Sequence, residues 1–235
     1  SAAEEFSEVL AAPSSLELER SARSFLAECY FRLDDYQQAI QIDKGLLKRG
    51  ATPDLLRRLA RSYFNNNQHG EAVQAYSVFL RFFPDAADAD SIAFTRAERL
   101  AFLNRIPEAI SAFQELSKKY PNSPLRHQAD QSVGDLLFKT EKYADALNVY
   151  RRILPTARNE SIAGQEVLSL YRLKRVKEAQ KMVKTFKKNH KTATDWVALF
   201  EVEEGKYKLR LQKPKDARKI FEKIIEWGLL LFQLK

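Results

Sequence analysis

Three histidines, one cysteine and a few acidic pairs are the residues of this 235-residue chain whose types could do chemistry beyond packing. His69, His127 and His190 stand far apart, each in or beside a polar turn, and none has a nucleophile or metal ligand at a useful spacing. Cys29 is the only cysteine, without a disulfide partner and with no Cys or His at metal-ligand distance along the chain, so it reads as a small helix residue of the core. Asp34-Asp35 and Glu203-Glu204 are carboxylate pairs of the kind used in acid–base work, yet turns and helix starts favour acidic residues for local reasons that account for them. Asn159-Glu160-Ser161 has the form of a glycosylation sequon, and there is no glycine-rich phosphate loop, His-Glu-x-x-His or Cys-x-x-Cys. The sequence predicts no catalytic residue, no metal site and no cofactor, and reads as a non-enzymatic chain.

The elements that would carry any binding residues must then be helices. Seven Gly and eight Pro, 45% apolar and 30% charged residues describe a chain that folds and favours helix. Its longest apolar stretch, Trp227 to Leu234, is too short to span a bilayer. Neither the basic n-region nor the apolar h-region of a signal peptide follows Ser1-Ala2-Ala3. Charge is uneven: the chain carries a formal +8, and Tyr171 to Ile225 alone holds 17 Lys and Arg against 7 Asp and Glu. Within that stretch Lys181, Lys184, Lys187, Lys188 and Lys191 form a basic run with Phe186 as its main aromatic.

Laid over itself, the chain repeats. A small residue followed by an aliphatic and then an aromatic occurs as Ala39-Ile40, Ala72-Val73-Tyr76, Ala109-Ile110-Phe113 and Ala146-Leu147-Tyr150, and more faintly as Ala179-Val183 and Ala217-Phe221. The alanines are 33, 37, 37, 33 and 38 residues apart. About thirteen residues earlier lies a second phrase: Leu26-Ala27 with Tyr30, Leu59-Ala60 with Tyr63, Ala97 with Leu100, Val133-Gly134 with Leu137. Both phrases have helical spacing, and polar turns separate them, so each unit is a predicted helical hairpin. Small residues let two backbones approach while large ones fill the groove beside them. Pro84 and Pro121 end second helices.

These phrases resemble the tetratricopeptide repeat family, which implies an all-α, right-handed superhelical solenoid of helical hairpins that holds another protein or peptide. The expected units are 20–52, 53–89, 90–126 and 127–159, then degenerate units at 160–193 and 194–228, where Val167, Leu170, Val176 and Lys208 partly replace the pattern. The unit near Asp90 keeps only its second helix in good form. Ala2, Phe6, Val9 and Leu10 read as the second helix of a half repeat over 1–19, so the sequence is expected to be a piece of a longer protein. Residues 229–235 are expected as a tail or the start of a further helix. The Tyr120-Pro121-Asn122-Ser123-Pro124 turn is similar to those of bacterial envelope members, the outer-membrane assembly lipoprotein and Tol–Pal coordinator types, which implies a periplasmic or envelope setting.

In such stacks the first helices line a concave face. One turn past the packing residue they present Phe31-Arg32, Phe64-Asn65, Ala101-Phe102, Phe138-Lys139, Tyr171-Arg172 and Leu209-Arg210. Rings flanked by cations would suit a peptide with apolar and acidic side chains. The expected partner-binding residues are therefore Phe31, Arg32, Phe64, Asn65, Phe102, Phe138, Lys139, Tyr171, Arg172 and Arg210. Ser24, Glu28, Ser91 and Thr95 stand where the basic and amide residues of a chaperone-tail clamp would be needed, which excludes that mode. The alternative is nucleic-acid or anionic-surface binding through the basic residues 171–225, with Lys181, Lys184, Lys187, Lys188 and Lys191 on an outer face. Sparse aromatic interleaving speaks against bases as ligands.

Overall fold

The computed structural model describes residues 16–157 and 159–233; the half repeat expected over 1–19 lies largely outside them. Among the described residues there are twelve helices and no strand. They are α1 (Leu16–Arg32), α2 (Tyr36–Leu47), α3 (Pro53–Asn65), α4 (His69–Phe82), α5 (Ala89–Phe102), α6 (Ile106–Lys119), α7 (Arg126–Lys139), α8 (Tyr143–Ala157), α9 (Glu160–Arg172), α10 (Val176–Asn189), α11 (Thr194–Arg210) and α12 (Pro214–Gln233). The chain divides into two compact units, 1–129 and 130–235, each of three successive hairpins. The helix α12 runs without a break to Gln233, into the residues 229–235 expected as a tail or the start of a further helix.

Local chemistry sets the boundaries. Thr52 caps α3 by accepting from the Leu55 amide at 3.3 Å, with Pro53 at the first turn, and Asp35 accepts from the Gln38 amide at 3.2 Å to start α2. Every hairpin turn is the same. The backbone reaches positive φ once in each, at Asp34, Asn67, Asn104, Glu141, Lys174 and Gln212, with φ between 57° and 62°. The following amide then reaches back to the helix just ended, as Asp35 to Tyr30, Gln68 to Tyr63 and Lys142 to Leu137, at 2.8–2.9 Å. This is the Schellman closure of a helix, made here without a single glycine at the left-handed position.

The core repeats with the turns. Ala39, Ala72, Ala109, Ala146, Ala179 and Ala217 are all fully buried on the second helices. Four residues after each stands the side chain that faces a small residue on the first helix. Tyr150 lies against Gly134, where an added Cβ would sit 2.5 Å from the ring, and Phe221 lies against Gly205 at 2.6 Å. In the hairpin α9–α10 the pair becomes Val167 and Val183, trading one large and one small residue for two middle-sized ones. In α1–α2 the position belongs to Asp43, fully buried and held at 2.6 and 3.0 Å by Arg58 of α3. Burial pushes the Asp43 carboxyl above its ordinary range, and Arg58 opposes that.

Where the sequence pattern fades, the helices still form. The first helix of the third unit is fully formed as α5 and buries Ala93, Phe94, Ala97 and Leu100, because Phe94 meets Phe113 edge-on at 5.3 Å in place of the missing pattern residues. The last two units, whose residue pattern is degenerate, also form hairpins. Between them, Trp196 of the last hairpin lies against Gly164 of the one before, where an added Cβ would meet its ring at 2.3 Å.

Candidate partner-binding surfaces

In the first unit the aromatic residues of the first helices are joined by arginines from the next hairpin. The Arg61 guanidinium stands 5.0 Å from the centre of the Phe31 ring, and Arg99 stands 4.4 Å from that of Phe64. His69, first residue of α4, lies between two rings, 5.2 Å from Phe64 and 4.8 Å edge-on from Phe102. Phe31 also meets Tyr36 at 5.7 Å. The result is a run of rings and cations along one end of α1, α3 and α5, ending on Phe102, which is 66% exposed. Phe31 and Phe64 are half-buried, and Asn65 is exposed. Guanidinium groups over ring faces attract each other by about 0.5–1 kcal/mol at exposed sites, which favours this arrangement.

Arg61 and Arg99 are not among the residues expected from the sequence, and His69 is expected only as a turn histidine. Arg32, expected to flank Phe31, instead bonds Glu28 of its own helix at 2.7 Å. The signal lay in the register. Arg61 and Arg99 each stand three residues ahead of an expected ring, Phe64 and Phe102, one helical turn away.

The second unit treats the equivalent positions differently. Phe138 meets Tyr143 at 5.1 Å and remains half-buried, with Lys139 exposed beside it. Tyr171 is only 6% exposed, and its hydroxyl donates to Glu204 of α11 at 3.4 Å. Burial first, then the neighbouring carboxylates, raise its pKa. It is a strut between two first helices and offers no open ring face. Arg172 pairs with Glu203 at 3.3 Å, and Lys206 reaches the same carboxylate at 2.8 Å. Arg210 is exposed.

All five lysines of the expected basic run are exposed, and Lys181, Lys184 and Lys187 line an open cavity of about 690 Å³ between α10, α11 and α12. Lys177, Lys219 and Lys223 complete its basic rim. No group of three or more His, Cys, Asp or Glu is placed to hold a metal among the described residues. Nor is any described helix long and apolar enough to cross a membrane.

Tetratricopeptide repeat family models match residues 1–55 and 94–161, and a second such model matches 54–86. The chain belongs to the tetratricopeptide repeat family. No curated protein matches it. Among solved structures, this repeat chain superposes on MamA of Desulfovibrio magneticus RS-1 with a TM-score of 0.58 at 17% identity, over 75% of this chain and 95% of that one. A tetratricopeptide repeat protein of Parabacteroides merdae gives 0.53 at 14% identity, over 96% and 85%. YrrB, described as a repeat protein with an unusual peptide-binding site, gives 0.56 at 12% identity, over 83% and 97%. Likeness at this level speaks to the fold of the tetratricopeptide repeat chain.

Proposed function

We propose that the chain is a non-catalytic protein-interaction scaffold that docks a peptide with apolar and acidic side chains on the first helices of its first unit. The observation that carries this is the ring-and-arginine run from Phe31 through Arg61, Phe64 and Arg99 to the exposed Phe102. Rings supply contact area with little entropy to lose, and the outward edges of guanidinium groups can still bond carboxylates in two-pronged fashion. Membership of a family whose hairpin stacks bind proteins, and the peptide-binding site named for YrrB, support the same reading. A bacterial envelope setting rests on the wording of the Tyr120–Pro124 turn, and cell fractionation with an antibody to the chain tests it.

Selection from a displayed peptide library tests the docking. The expected winners carry aromatic or aliphatic residues interleaved with Asp and Glu. Phe64→Ala with Phe102→Ala should weaken their binding by about tenfold or more while circular dichroism stays unchanged. Selection of basic peptides, or winners indifferent to both substitutions, would remove the proposal.

A further inference from the structure

The grooves of the two units differ in what lines them. Val183 stands where Tyr76, Phe113 and Tyr150 fill the equivalent places, each 4% exposed or less. The corresponding groove of the first unit, between α4, α5 and α6, is crossed by the Arg96–Glu115 ion pair at 3.1 Å and holds only about 230 Å³. In the second unit no such pair crosses the groove, and the space beside Val183 and Ile220 holds about 690 Å³.

Its charges are unbalanced. Six lysines and two glutamates line it. Both glutamates already have partners, Glu201 through one of its two oxygens. Glu201 receives Lys187 at 3.3 Å and Lys223 at 3.5 Å. Glu204 receives Gln180 at 2.9 and 3.0 Å on its two oxygens, and Lys208 at 3.5 Å. Among the described residues no ion pair forms at Lys177, Lys181, Lys184 or Lys219. Lys177, Lys181 and Lys184 follow one another at four and three residues along one face of α10, a row of about 10 Å, and Lys219 and Lys223 repeat that spacing on α12.

From this we infer a second docking site, which takes an amphipathic helix of a partner protein with an apolar stripe flanked by acidic residues. The inference rests on the reading of the chain as a protein-docking scaffold but places the contact elsewhere. Two cationic rows beside an apolar floor of Val183 and Ile220 are the complement of such a helix, and the lysine stems extend the floor. A nucleic acid would use the charge and leave the floor empty. The only rings there, Tyr171 and Phe200, are 6% and 1% exposed and offer no base a stacking face. A compact phosphate ligand would call for arginine forks or helix amides, and the lining holds lysines alone as its cations.

The probe is a helix-stapled synthetic peptide with a leucine stripe flanked by glutamates, titrated by fluorescence anisotropy against the whole chain. The peptide should bind, and its serine-stripe and lysine-flanked versions should bind at least about tenfold more weakly. Ile220→Ser, which removes half of the apolar floor without altering charge, and Lys181→Glu with Lys184→Glu should each weaken binding by a similar factor. Should Ile220→Ser lose helical dichroism, the surface lysine variant carries the test. Phe64→Ala with Phe102→Ala should leave binding unchanged, and a loss there would assign the peptide to the first unit and overturn this site while sparing the scaffold reading. Absence of binding would also overturn it, as would equal binding of the serine-stripe peptide. So would duplex DNA that binds as tightly as the peptide and is lost with the lysine variant.

Discussion

Gly134 and Tyr150 show how little freedom a single residue has in this fold. Tyr150 is fully buried and tied by its hydroxyl to Asp135 at 2.7 Å, so its ring cannot retreat from a methyl group placed at 134. Gly134→Ala should therefore destabilise the chain by about 1–3 kcal/mol despite its better helix propensity. Adding Tyr150→Leu should make the alanine less costly, a coupling that a double-mutant cycle in urea measures. Strict additivity would show that the two do not meet. At the equivalent place of the first hairpin, removing one partner of Asp43 and Arg58 leaves a buried charge alone. Arg58→Ala should cost about 3–5 kcal/mol, whereas Asp43→Tyr with Arg58→Thr, which copies Tyr76 and Thr95, should lose far less. The spacing of alanines and rings made the repeat readable, and Asp43 broke it without showing its reason, because its partner lies 15 residues on in the next hairpin.

At the scale of the element, the six turns carry a testable strain. Asp34, Asn67 and Asn104 are residue types that tolerate the left-handed region, whereas Glu141, Lys174 and Gln212 are held there at φ near 60°. Lys174→Gly should stabilise the chain by about 0.5–1 kcal/mol, read from the urea midpoint, and Asn67→Gly should do less. Equal or opposite effects would contradict the assigned turn. A second device pins α3 to the start of α5. Arg57 grips Asp88 at 2.5 and 2.9 Å and, as the first cause, lowers the Asp88 pKa. A lowered folded pKa means stability that is present above about pH 4, the unfolded value, and is lost as pH falls through the folded one. Asp88→Asn should forfeit that share at neutral pH and show a flatter acid limb, by less than about 1 kcal/mol because the pair is partly exposed. Helices and hairpins were legible because packing repeats along one chain. The arginines over Phe31 and Phe64 were not, because periodicity marks which residues recur and not which neighbour's side chain reaches across. The cavity lined by Val183 escaped for a related reason: side chains of three helices enclose it, and periodicity within one helix does not show the space between helices.

Across the whole molecule, two surfaces of different chemistry coexist. The first unit offers rings alternating with arginines, and the second offers lysines around a cavity within a stretch that carries a surplus of ten positive charges. They should answer salt differently, since contact area anchored by rings survives screening while attraction between exposed charges does not. The most direct test of the scaffold account is the affinity of a library-selected acidic–apolar peptide for the wild-type chain and for Phe64→Ala with Phe102→Ala, by calorimetry at low and high salt. The account predicts that the wild type keeps most of its affinity at high salt and that the double variant loses about 2 kcal/mol or more at both salts. Equal affinity of the two proteins, with binding abolished for both at high salt, would contradict it.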